Sequence, residues 1–157
     1  VAAVCGGEVL REVPFDTFLA KLPECRKQCG DRAVLRAFHI YADNERVAKQ
    51  VAALRADDFD TFLQLVTESG LSSWEYLQNV IPAGYKEHQE VAVTIAAAKH
   101  FLRGKGAVRV HGGGFAGTVQ AFVPVEELAQ FKEQMEAILG AGRCHVLSIR
   151  PEGGAVL

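Results

Sequence analysis

Six of the chain's fifteen glycines fall between Gly104 and Gly117, and the hydrophobic pattern changes period where that stretch begins. Before it, apolar residues recur every three or four positions, as on a buried helix face; after it, short runs alternate, as in strands. A chain of 157 residues is about one domain. The period change therefore predicts a helical first part joined to a smaller mixed part, an α+β class.

The densest segment is Gly112-Gly113-Gly114-Phe115-Ala116-Gly117. Each of its four glycines gives up about 0.5–1 kcal/mol relative to alanine in regular structure, roughly 2–4 kcal/mol together. That is large beside a domain stability of ~5–15 kcal/mol. Such a loop has a backbone need: positive φ angles, or the close approach of a second backbone or a ligand. Successive N–H groups in such a turn can form an anion nest. Ala116 carries a Cβ and is expected at negative φ. Gly112-x-Gly114-x-x-Gly117 matches the dinucleotide-binding string, but that motif needs a helix next, and Thr118-Val119-Gln120-Ala121-Phe122-Val123 reads as a strand. The P-loop pattern also fails, because no lysine follows Gly117.

The remaining elements follow from periodicity and punctuation. Residues 9–13 read as a short strand. A helical stretch over 14–28 is interrupted at Pro23. Gly30-Asp31 gives a stop and an N-cap. A long helix over 32–55 carries a stripe of Val34, Leu35, Phe38, Tyr41, Ala42, Val47, Val51 and Leu54, expected to face the core for most of its length. Asp57-Asp58 caps a helix bearing Phe59, Phe62, Leu63 and Val66, which Gly70 should end. Ser72-x-x-Glu75 reads as a capping box for a short helix through Leu77. After a break at 82–84, a helix over 86–102 places Val91, Ile95, Ala98 and Leu102 on one face. Strands follow at 107–111 and 118–123. A helix over 126–139 then carries Leu128, Phe131, Met135 and Ile138, and a last strand spans 144–149. Strand–hairpin–strand–helix–strand is the second half of a ferredoxin-like split βαβ unit. Residues 9–13 would supply its first strand, with the central helices as a large helical insertion.

Composition narrows the functions. The net charge of −2 carries no nucleic-acid or membrane-surface footprint. No apolar run reaches the ~18–20 residues of a membrane span. Cys5, Cys25, Cys29 and Cys144 are too few for a disulfide framework, and the spacing of His and Cys suits no zinc site, so free cytosolic thiols and a cytoplasmic location are expected. Trp74, Tyr76 and Tyr85 lack a basic groove and read as packing residues.

Arg109-Val110-His111-Gly112-Gly113-Gly114-Phe115-Ala116-Gly117-Thr118 resembles the third, C-terminal motif of the GHMP kinases, which lies between two strands. Arg36-Ala37-Phe38-His39 with Asn44-Glu45-Arg46-Val47, then residues 53–58 and 65–69, are similar to the galactokinase type within that group. The resemblance runs in order through nearly the whole chain. Ala116 stands where many members have Gly, and His111 where Thr or Ser is common. The resemblance implies that residues 1–157 are a C-terminal domain whose N-terminal partner domain holds the main nucleotide loop, the sugar motif and the catalytic residues. The absence of a starting Met at Val1 agrees with this expectation. Gly70-Leu71-Ser72-Ser73 imitates a piece of the main phosphate loop but lacks its proline and small residues.

The full-length protein is then expected to use ATP and Mg2+ to phosphorylate the C1 hydroxyl of galactose or a related sugar. The fragment alone is expected to be inactive and prone to self-association through its uncovered face. The resemblance assigns Gly112, Gly113, Gly114, Ala116 and Gly117 to the substrate-facing loop, with Phe115 as its packing anchor, and puts His111, Glu68 and Ser69 near a cleft. It brings over no catalytic residue. Two alternatives stand: a ferredoxin-like module that binds a small metabolite, and a homoserine- or mevalonate-type kinase.

Overall fold

The computed structural model describes residues 1–115 and 117–153. Seven helices and one antiparallel hairpin follow in order: α1 (Ala2–Cys5), α2 (Phe15–Ala20), α3 (Leu22–Cys29), α4 (Asp31–Arg55), α5 (Phe59–Ser72), α6 (Glu90–Leu102), β1 (Ala107–Val110), β2 (Val119–Phe122) and α7 (Leu128–Leu139). The α+β class holds.

Two apolar clusters build the molecule. In the first, Phe18 is fully buried and packs edge-on to Phe38 at 5.0 Å and stacked on Tyr41 at 5.3 Å. Cys5, Val13, Cys25, Val34 and Ala37 close around it. In the second, Val91, Ile95, Ala98 and Leu102 of α6 meet Val108 and Val110 of β1 and Met135 of α7. These four α6 positions are the stripe that the spacing predicts, because they lie on one face of a 3.6-residue helix.

The hairpin lies between α5 on one side and α6 with α7 on the other. Alternation along β1 makes this possible: Val108 and Val110 face the α6–α7 cluster, and Arg109 faces α5. The pairing register is Ala107 to Phe122 through Val110 to Val119. Contact with α5 is close. A Cβ at Gly70 would lie 2.7 Å from Arg109 Cβ. Gly70 therefore does not end α5; it is an interior helix residue that lets the backbone approach the strand.

Several sequence expectations are corrected. Residues 9–13 form no strand. Leu10–Glu12 is a 3-10 turn whose Glu12 carboxylate accepts from the Glu8 N–H at 2.9 Å. The Val13 carbonyl accepts from the Tyr41 hydroxyl at 2.9 Å. The segment thus satisfies its backbone locally and needs no sheet edge. Residues 144–149 form no strand either, and Val146, Leu147 and Ile149 are exposed. The sheet therefore has two strands among the described residues, not the four of a ferredoxin-like unit.

The long helix α4 is present, but its stripe is core-facing only in the first half. Val47, Val51 and Leu54 are exposed, while Ala53 is buried toward α5. Gly30, at φ 81°, both stops α3 and caps α4, so Asp31 is the first helical residue and not the cap. Ser72 opens no new helix. Its hydroxyl is taken by α4, and α5 continues as a π turn over Ser73–Leu77 that ends at Gln78 in the left-handed region. Helix α6 starts at Glu90, four residues after the expected 86, because the turn at Pro82 reaches Tyr85 and the Gln89 side chain donates back to the Tyr85 carbonyl. Ile138 and Tyr85 are exposed, whereas Trp74 packs on the second cluster. The Asp58 cap is as expected, accepting from the Thr61 N–H at 3.0 Å.

Candidate functional site

The glycine loop joins β1 to β2. The His111 N–H donates to the Thr118 carbonyl at 2.9 Å and adds one rung to the ladder. Beyond that rung, Gly112, Gly114 and Gly117 have φ of 64°, 74° and 82°. Phe115, at φ 54°, shares the left-handed region that side chains disfavour. The backbone need inferred for this loop is real, and it is met in both ways at Gly114.

Asn79, 2% exposed, lies beneath the loop. Its carbonyl accepts from the Phe115 N–H at 3.0 Å. Its side-chain amide donates to the Gly113 carbonyl at 3.3 Å. Ser73, also buried, donates its hydroxyl to Asn79 Oδ1 at 3.4 Å, which fixes the amide's orientation. A Cβ at Gly114 would fall 2.3 Å from the Asn79 carbonyl oxygen. Gly113 has open space around it. The N–H groups of Gly112, Gly113 and Gly114 have no acceptor among the described residues. Phe115 is 47% exposed, so its ring is not the packing anchor expected; its backbone is what anchors. His111 is exposed at the strand end. Ala116 lies outside the described residues.

A second polar group supports the strand that delivers this loop. Asp43 Oδ1 accepts from the Ser69 hydroxyl at 2.8 Å and from Arg46 Nη1. Ser69 in turn accepts from Arg109 Nη1 at 2.5 Å, and Arg109 Nε donates to the Val110 carbonyl at 3.0 Å. His39 places Nε2 3.3 Å from Asp43 Oδ2 and Nδ1 2.9 Å from Ser72 Oγ. Burial lowers the His39 pKa, with Arg46 and Arg109 adding to the effect and Asp43 opposing it. The neutral ring therefore donates from Nε2 to Asp43 and accepts at Nδ1 from Ser72, an assignment made from the network.

These contacts place the other expected site residues. Ser69 is buried in the network with both hydroxyl functions used. Glu68, one position earlier, borders the same network: its Oε2 lies 3.9 Å from Arg46 Nε, while its Oε1 accepts from Gln64 Nε2 at 3.0 Å, and it lines a cleft of about 780 Å³. That cleft borders the start of β1, whereas the glycine loop follows its end. The structure does not bring Glu68 or Ser69 to the loop. Gly70-Leu71-Ser72-Ser73 is helical, with Ser72 facing His39. Among the described residues, no three His, Cys, Asp or Glu side chains converge as a metal set.

Sequence reasoning missed Asn79 and the roles of His39, Asp43, Arg46 and Arg109. The spacing of His39, Asp43 and Arg46 at i, i+4 and i+7 was an available signal, since it puts three polar groups on one helix face. Asn79 has no comparable local signature.

No protein-family model matches the chain. Curated proteins do match. It is 30% identical to the galactokinase of Actinobacillus pleuropneumoniae over 127 residues, which is 81% of this chain and 31% of that protein. It is 31% identical to the galactokinase of Thermotoga neapolitana over 139 residues, 87% of this chain and 34% of that protein. The galactokinase of Mannheimia succiniciproducens is 28% identical over 82% of this chain. The chain is similar to galactokinases over most of its length. It spans about a third of the length of the galactokinases it matches. The glycine loop of this chain is carried on a hairpin held on the α5 side by the Arg109–Ser69 hydrogen bond and the Phe62–Phe122 ring contact, and on the α6 side by apolar packing.

Two outcomes follow. Gly114→Ala should destabilise the chain by at least about 2 kcal/mol, because the new Cβ meets backbone at a positive φ. Gly113→Ala should stay within about 0.5 kcal/mol; urea denaturation of both variants checks the pair. Stability should also fall as pH drops below about 6.5. The unfolded chain binds a proton at His39 there, while the folded ring resists it, so protonation favours unfolding. His39→Gln should flatten the stability–pH slope in that window, and an unchanged slope would remove His39 from the account.

Proposed function

We propose that the chain is the C-terminal part of a galactokinase-like sugar kinase. In the complete protein, the γ-phosphate of ATP passes to the C1 hydroxyl of galactose or a related sugar. The reading rests on sequence similarity to galactokinases over four-fifths of the chain. The glycine loop supplies the chemistry to go with it. Phosphoryl transfer depends on positioning and on stabilising charge on the transferred group. Backbone N–H groups without acceptors among the described residues, as at Gly112 to Gly114, suit phosphate oxygens. Arg109 is not the cation for that task, because its guanidinium is held by Ser69 and Val110.

The same donor set does not suit Mg2+. Residues 111–118 contain no carboxylate, and Asp43 is engaged by His39, Arg46 and Ser69. This chain's contribution is to the phosphate and to the shape of the cleft. The sugar motif, the metal ligands and the catalytic groups belong to an N-terminal kinase domain, and a cytoplasmic setting suits such an enzyme. Among the described residues no helix is long and apolar enough to cross a membrane. A ferredoxin-like sheet would be completed by a strand from outside these residues. It would pair with the free edge of β2 and with residues 144–149, whose apolar side chains are now exposed. Uncovered in this way, the isolated chain would self-associate.

The test is to express the longer protein and assay ATP-dependent phosphorylation across a panel of sugars and small alcohols. Galactose or a close relative should be phosphorylated at C1, and residues 1–157 alone should show no turnover. Phosphorylation of a homoserine- or mevalonate-type alcohol instead would move the chain to another branch. Tight small-metabolite binding by residues 1–157 alone would favour a binding module.

A further inference from the structure

We infer that Asn79 is a positioning residue that sets which way the peptide planes of the glycine loop face. The inference rests on the kinase reading for its ligand, the phosphate chain of a nucleotide, and on the geometry for everything else. In a trans peptide the C=O and the following N–H point in opposite directions. The Gly113 carbonyl is turned toward the Asn79 side-chain amide. The Gly114 N–H is therefore turned away from Asn79. The next plane is fixed in the opposite sense: the Phe115 N–H is turned toward the Asn79 carbonyl, so the Gly114 carbonyl faces away.

The two contacts differ in what holds them. The second uses backbone on both sides and survives any substitution at position 79 that keeps the fold. The first uses the Asn79 side chain, oriented by Ser73 from below. Glycine on both sides of the 113–114 peptide leaves little steric barrier to rotating that plane. Without the amide, the Gly113 carbonyl is free to turn outward and the Gly114 N–H inward. An outward carbonyl puts a partial negative charge where phosphate oxygens would bind. Buried Asn79 thus acts on the phosphate through the loop and does not touch it.

Asn79→Asp is the sharp variant. It keeps size and shape but sets a carboxylate against the Gly113 carbonyl. Asn79→Ala removes the donor with no new charge, and Ser73→Ala frees the amide to rotate. In the longer protein, Asn79→Asp should lower kcat by about 10- to 100-fold, on the scale of losing one preorganised donor. The KM for sugar should stay within about twofold of wild type, and Ser73→Ala should give a smaller loss in the same direction. Thermal unfolding of each variant is measured beside the kinetics. A kcat within about twofold of wild type for both Asn79 variants overturns the inference, as does a loss no larger than the unfolded fraction explains.

A second readout separates this inference from the kinase reading. Inorganic triphosphate is titrated into the longer protein while the Gly112–Gly114 amide resonances are followed. Shifts in wild type that are absent in Asn79→Asp support the positioning role even if no sugar on the panel is phosphorylated. Equal responses in wild type and Asn79→Asp, or no response in wild type, contradict it. If Asn79→Asp does not fold, Asn79→Ala and Ser73→Ala carry the same comparison.

Discussion

One carboxylate ties the layers of this molecule together. Asp43, on α4, accepts from Ser69 on α5 and from Arg46 on its own helix, and faces His39. Through Ser69 it reaches Arg109 on β1. The two apolar clusters supply most of the burial, but burial is non-directional and does not fix how one layer is set against another. A hydrogen-bonded network does, because each partner has one place to be. The network's worth is geometric more than energetic, since desolvating charged groups offsets much of their attraction. Its product is a β1 held tightly enough against α5 that position 70 must be glycine.

From that seat the hairpin projects a loop whose shape is set a second time, from below, by Asn79. Three of the loop's four glycines are at positive φ, and one of those three, Gly114, also lies against backbone. The N–H groups of Gly112, Gly113 and Gly114 have no acceptor among the described residues. Gly112 and Gly113 are exposed, so their N–H groups are open to water, whereas Gly114 is buried.

Much of this was legible in the sequence, for identifiable reasons. Helix α6 and the hairpin follow from apolar periods of 3.6 and 2, and the Asp58 cap from local chemistry that no distant residue overrides. The glycine loop was found from its cost. What failed depended on long-range partners. Residues 9–13 and 144–149 have strand-like composition, but a strand exists only with an edge beside it, and none is supplied to them among the described residues. Ser72 looked like a cap because its spacing to Glu75 is right, but His39 lies 33 positions upstream and takes the hydroxyl. Gly70 looked like a stop because nothing local reveals a strand packed on that side. Phe115 took its anchor role from the resemblance, which says nothing of which way the ring faces, and Asn79 was invisible because its partner lies in a loop 34 positions away.

The chain is similar to galactokinases over most of its length, and its glycine loop is held from beneath by one buried residue. Asn79 and the last rung of the hairpin hold the loop in one arrangement, with the Phe115 N–H bonded inward and those of Gly112, Gly113 and Gly114 without an acceptor among the described residues. Site-resolved amide hydrogen exchange on the chain measures this directly. The account predicts a Phe115 N–H that exchanges at least about tenfold more slowly than those of Gly112 and Gly113, because it alone among the three is hydrogen-bonded inward. Equal, fast exchange at all three would mean that the loop is not held by Asn79, and the account of the site would fall with it.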